Sequence, residues 1–164
     1  MNQAENRDHP PFRPTLEGCV AKDVRLARAV EECYQGQLAS VAAYTYRSLV
    51  TEGLDRELSR RMDEIAVEKA EHFRMLGELI LALGGDPVIR AQLRVGGMER
   101  QGEDGGLPAQ SLPLLIKDAI REERITVDRL QNLMGRTRDR VVRSLLAYIL
   151  SDEERHIAFL QGIA

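Results

Sequence analysis

The sequence predicts an all-α fold, a four-helix bundle built from two helical hairpins joined by a long crossover. Three observations carry this expectation. Apolar residues recur with helical periodicity over four long segments. The links after the first and third segments are short, whereas the one after the second is long. Polar residues also interrupt the apolar faces at matched places in the two halves. His72 and His156 are 84 residues apart, Lys69 and Glu153 are 84 apart, and Gln37 and Glu122 are 85 apart, as a duplicated hairpin requires.

Each element follows from local signals. Residues 1–18 hold three of the six prolines and read as a flexible tail, leaving 19–164 for the bundle. The first helix is expected over about 21–51, with Leu26, Val30, Cys33, Gln37, Ser40, Val41 and Tyr44 on its inner stripe. Asp55 suits the N-cap of a second helix over about 55–83, whose inner face runs through Leu58, Met62, Ile65, Lys69, His72, Leu76 and Leu83. Gly84-Gly85-Asp86-Pro87 stops it, and the glycine-rich stretch 84–110 is the crossover. Ser111 with Pro113 marks the start of a third helix over about 111–134. Its inner face is read as Leu115, Ala119, Glu122, Ile125, Thr126 and Leu133, with Gly135 as the break. The fourth helix, about 138–163, turns Val142, Leu145, Ile149, Glu153, His156, Leu160 and Ile163 inward.

Composition narrows the function. A chain of 164 residues, 43% hydrophobic and 30% charged, can bury a sizeable single core. The net charge of −3 provides no basic stripe for nucleic acid. No apolar run approaches a membrane span, and the polar N-terminus is no signal peptide. Two cysteines, Cys19 and Cys33, make neither a disulfide scaffold nor a CxxC site, so a reduced cytoplasmic protein is expected. Cys33 reads as a small core filler, or as a soft ligand if ionised.

A polar residue inside an apolar stripe must find a partner or destabilise the fold. Here the interruptions are Gln37, Lys69 with His72, Glu122, and Glu153 with His156, one group per helix at a similar level of the bundle. Residues i and i+3 lie about 60° apart with roughly 4.5 Å of rise, so Glu153 and His156 can face one ion together.

These residues resemble those of the ferritin-like diiron-carboxylate proteins, the bacterioferritins and rubrerythrins among them. That family takes one Glu from each of two helices and Glu-x-x-His from each of the other two. The segment from Gln37 to Tyr44 resembles the family's first ligand helix with Gln at the ligand position. His72-Phe73-Arg74-Met75-Leu76-Gly77-Glu78, leading to Gly-Gly-Asp-Pro, is similar to the segment around its first histidine. Asp118 to Glu122 resembles the third ligand segment, and Asp152-Glu153-Glu154-Arg155-His156 the fourth.

The resemblance implies that Glu122, Glu153, His156 and His72 are the surviving metal ligands, of iron or manganese, and that Gln37 and Lys69 stand at replaced positions. It implies Glu68 and Asp152 as carboxylates that orient the opposite histidines. Ala70 stands where a haem methionine would fall, so no haem is expected. The eight residues after His156 leave no fifth helix of the kind used in storage cages.

Charge then limits occupancy. Glu122 and Glu153 contribute −2 and a charged Lys69 brings the total to −1, so one divalent ion gives +1 and two give +3. Two ions with a charged lysine are disfavoured inside an apolar bundle. The expected centre holds at most one ion, or none, with the Lys69 ammonium in the space of the missing ion, bridged to Glu153 or Glu122. A similar exchange is seen in a metal-free group of ribonucleotide-reductase radical subunits. Tyr44 is expected at the same level, either as a core tyrosine bonded to Glu153 or Glu122 or as a redox residue.

Two function classes remain at this stage. One is a metal-binding redox protein acting on oxygen or peroxide, a homodimer served by a separate electron-donor protein. The other is a non-enzymatic bundle with a salt-bridged core and a structural or interaction role.

Overall fold

The computed structural model describes residues 13–16, 20–90, 93, 95–96 and 111–164. Most of the expected tail and the later crossover, residues 97–110, lie outside the described residues, as does Cys19. Among the described residues the regular elements are four helices: α1 (Val24–Thr51), α2 (Arg56–Ala82), α3 (Leu112–Gly135) and α4 (Arg140–Ile163). None of them is long and apolar enough to cross a membrane.

Side-chain caps set most of the helix starts. Asp23 accepts from Leu26 N, Asp55 from Glu57 N and Leu58 N, and Asp139 from Val141 N and Val142 N. Each satisfies amides that would otherwise lack partners in the first turn. Ser111 makes no such side-chain bond; α3 starts instead with Pro113 in its first turn, where a missing N–H costs nothing. α3 also runs through Gly135 rather than breaking before it. At the end of α2, Gly84 takes φ +88° and Gly85 N returns to Ile80 O at 2.8 Å, closing the helix in a left-handed turn.

The first hairpin is stitched at its open end, where Asp23 N donates to Leu83 O at 2.9 Å and Lys22 Nζ to Ala82 O at 3.1 Å. From there the crossover turns back along α1. Gln35 bonds Val88 O, Arg90 N bonds Gln35, and Gly96 lies so close to the Tyr46 ring that a Cβ would come within 2.7 Å of it.

α1 packs on α2 and α3 on α4, with α1 beside α3 and α2 beside α4. The direction is up-down-down-up, because the N-terminal half of α1 shares a core with the C-terminal halves of α2 and α3 and the N-terminal half of α4. That core contains Val30, Leu76, Ile80, Leu130, Leu146 and Ile149. A second core, with Val50, Met62, Ile65, Ile116, Ala119 and Leu160, fills the other end. Between the two lies a buried polar layer.

Candidate functional site

The polar layer is assembled from all four helices. α1 supplies Gln37 and Tyr44, α2 supplies Lys69 and His72, α3 supplies Glu123, and α4 supplies Asp152, Glu153 and His156. All are buried, and Gln37, Lys69 and Glu153 show no exposed surface at all.

Lys69 is the centre of the layer. Its Nζ donates to Glu123 Oε2 at 2.7 Å and also to Glu153 Oε2. Burial alone would lower its pKa, but the charges of Glu153 and Glu123 outweigh this and raise it, so the ammonium persists at neutral pH.

Glu153 is saturated. Its Oε1 accepts from Gln37 Nε2 at 2.7 Å and faces His72 Nδ1 at 3.2 Å; its Oε2 meets Lys69 and, at 3.3 Å, His156 Nδ1. These partners fill the roughly four acceptor sites of a carboxylate. Burial pushes its pKa up, yet Lys69 and the two histidines hold it well below the usual range.

Each histidine is sandwiched between carboxylates. His72 Nε2 lies 2.8 Å from Asp152 Oδ2, and His156 Nε2 lies 2.6 Å from Glu68 Oε2. Ionised carboxylates only accept, so a ring with one on each nitrogen is favoured as the doubly donating imidazolium. Burial opposes that charge in both rings. The contacts with Asp152 and Glu153 nevertheless raise the pKa of His72, and those with Glu123, Glu153 and Glu68 raise that of His156 to about 10. Arg155 joins the outer ends, with Nη2 at 2.7 Å from Asp152 and 3.0 Å from Glu68. With both rings doubly protonated, four cations (Lys69, His72, His156, Arg155) face four carboxylates (Glu68, Glu123, Asp152, Glu153), and the network sums to zero charge.

The α3 residue in the layer is Glu123, not the expected Glu122. Glu122 lies one position around the helix, its side chain 43% exposed, and pairs with Arg47 at 2.7 Å. The spacing of Ile116, Ala119, Glu123, Leu130 and Leu133 sets the buried face, leaving Thr126 half-buried and Ile125 exposed. Tyr44 accordingly donates to Glu123 Oε1, at 2.5 Å, rather than to Glu122 or Glu153. Burial, and then the Glu123 charge, push the Tyr44 hydroxyl pKa well above its usual value. Cys33 lies in the apolar core next to the layer, and burial raises its thiol to about 11.

Sequence reasoning missed Glu123, Arg47 and Arg155. The adjacent Glu122-Glu123 pair was the available signal for the first. Partners as far apart as Arg47 and Glu122, or Arg155 and Glu68, leave no local trace.

Glu123, Glu153 and His156 each offer a ligand atom, all within 4.8 Å of one another, so one cation fits between them. Gln37 turns an N–H donor, not a lone pair, toward Glu153, and Lys69 Nζ donates to the Oε2 atoms of both Glu123 and Glu153.

No curated protein matches the chain significantly. Among solved structures it is similar to a bacterioferritin of Desulfovibrio desulfuricans, determined with its diiron site reduced in solution and allowed to reoxidise before crystallisation. The TM-score is 0.71 at 19% identity, over 85% of this chain and 77% of that one. The model of the ferritin-like domain matches residues 15–164. With that match across the whole bundle, the chain belongs to the ferritin-like domain family.

Proposed function

We propose that this protein is a ferritin-like metal-binding protein with a single-cation centre. The Lys69 ammonium holds the centre in the resting protein and gives way to at most one iron or manganese ion on Glu123, Glu153 and His156. The observation that carries this reading is the pair of bonds from Lys69 Nζ to the Oε2 atoms of Glu123 and Glu153. One buried monocation already occupies the focus of both carboxylates. A divalent ion there is balanced once Lys69 and His156 have each lost a proton, whereas two ions would leave the network at least +1 inside an apolar bundle even with His72 neutral as well.

A bound ion would supply one-electron chemistry with oxygen or peroxide, and electrons would come from a separate donor protein. The chain's own groups do the rest. Asp152 and Glu68 orient the two histidines through their outer nitrogens, Gln37 holds Glu153 in place, and Tyr44 fixes Glu123 through its hydroxyl. The two apolar cores above and below exclude water from the layer. A cytoplasmic homodimer without haem is the setting this reading assumes.

The saturation of Glu153 favours a second reading, in which the network is a permanent salt-bridged core and the bundle has a structural or interaction role. Titration with Mn²⁺ separates the two. The first reading expects at most one ion per chain in the wild type, none in Glu123→Ala, and a second site created by Gln37→Glu with Lys69→Glu. Absence of binding, with no change in melting temperature on adding metal, selects the second. Two ions in the wild type would exclude both.

A further inference from the structure

Outside the polar layer, a cavity of about 480 Å³ lies between α1 and α3. Its volume is in the range that encloses a small organic molecule. On the α1 side the small residues Gly36, Ala39 and Ala43 lie beside the larger Tyr46 and Arg47, and Leu115 and Ile125 of α3 complete the apolar wall. The charged side chains Asp118, Glu122 and Arg129 of α3 also line the cavity.

Arg47 is unusual for an arginine. It is only 5% exposed, and its guanidinium lies over the Tyr44 ring at 4.9 Å. Glu122 engages Nη2 alone, through one oxygen, and Nη1 is buried without a partner. A guanidinium is a planar fork built for two parallel bonds to one carboxylate, and here half the fork is unused. An unpaired buried N–H is costly, so a ligand that satisfied it would gain what the free protein forgoes. Glu122 can yield the position, because its own carboxylate is 43% exposed and can turn to water.

We propose that the α1–α3 cavity binds an organic monocarboxylate with an apolar body. The ligand's carboxylate takes both Nη1 and Nη2 of Arg47 in place of Glu122, and its body lies on the wall of Ala39, Ala43, Leu115 and Ile125. The site is independent of whether the polar layer holds a metal ion.

The test is calorimetric titration of the full-length protein with octanoate, benzoate and octanol. Octanoate and benzoate present the same carboxylate on an aliphatic and an aromatic body, and the tighter of the two assigns the body. Octanol keeps the chain without the charge and should bind at least tenfold more weakly than octanoate. Glu122→Gln removes the internal competitor and should tighten carboxylate binding several-fold. Arg47→Gln should abolish the preference for octanoate over octanol. Ala43→Phe, which leaves Arg47 in place, should block all ligands while circular dichroism stays native. Equal affinity for octanol, no carboxylate binding by the wild type, or weaker binding by Glu122→Gln would each overturn the proposal.

Discussion

Replacing Lys69 with methionine keeps most of the side-chain volume and removes the charge together with the two hydrogen bonds that its Nζ donates. The ammonium faces two carboxylates, Glu123 and Glu153, that are at most 1% exposed. After its loss Glu153 retains Gln37, His72 and His156 as partners. Glu123 retains the Tyr44 hydroxyl and a long ion pair with His156 Nδ1 at 3.9 Å. The cost therefore falls mainly on Glu123, a buried carboxylate left with one distant charge partner. Breaking a buried ion pair from one side costs about 3–5 kcal/mol, and that is the loss of unfolding free energy expected at pH 7. Adding Glu123→Gln should recover part of the loss at neutral pH, so that the double-mutant cycle shows strong coupling. Urea unfolding followed by circular dichroism at pH 7 measures each quantity. A loss below about 1 kcal/mol would show that the ammonium is not balancing these carboxylates.

Three further outcomes follow from the same network. Because the pKa of His156 is raised from 6.5 to about 10, its stabilising contribution is complete below pH 6.5 and is lost as the pH rises toward 10. Because that of Glu153 is depressed, its contribution is present above pH 4.5 and is lost in acid, so a stability-versus-pH curve should peak between 4.5 and 6.5. The alkaline slope should approach 1.4 kcal/mol per pH unit for each proton released, roughly. Tyr44→Phe deletes the hydroxyl that serves Glu123 and should cost about 1.5–3 kcal/mol in urea unfolding, the range for a hydrogen bond to a charged group. Glu123→Ala should abolish Mn²⁺ binding, whereas Glu122→Ala should retain it, as calorimetry of the two variants would show.

Much of the polar layer was legible from helical phase alone. Gln37, Lys69, His72, Glu153 and His156 interrupt otherwise apolar stripes, and a polar side chain on a buried face has to meet its counterparts from the other helices. Glu68 and Asp152 lie one residue before Lys69 and Glu153, and each reaches the histidine of the opposite helix. The third helix was harder to phase. Adjacent residues differ by about 100° around a helix, so Glu122 and Glu123 point to different faces although both follow Ala119 by a plausible step. The duplicated spacing favoured Glu122, at 85 residues from Gln37. The two hairpins differ in length, however: Gln37 to Lys69 is 32 residues, whereas Glu123 to Glu153 is 30. Those two extra residues displace the match by one more position than the repeat suggested. Arg47 and Arg155 were invisible for another reason. Arg47 acts on Glu122 and Arg155 on Glu68 of another helix, pairings that depend on tertiary packing; only the Arg155–Asp152 pair, three residues apart, is local.

The central claim is that a side-chain ammonium stands where the ferritin-like bundle would otherwise gather metal ions. The most direct measurement is anomalous diffraction at the manganese edge from crystals of the wild-type protein soaked in Mn²⁺. The account predicts no more than one peak per chain, among Glu123, Glu153 and His156, with the Lys69 amine displaced wherever that peak is occupied. Two peaks bridged by Glu153, with Lys69 still bonded to Glu123, would contradict it.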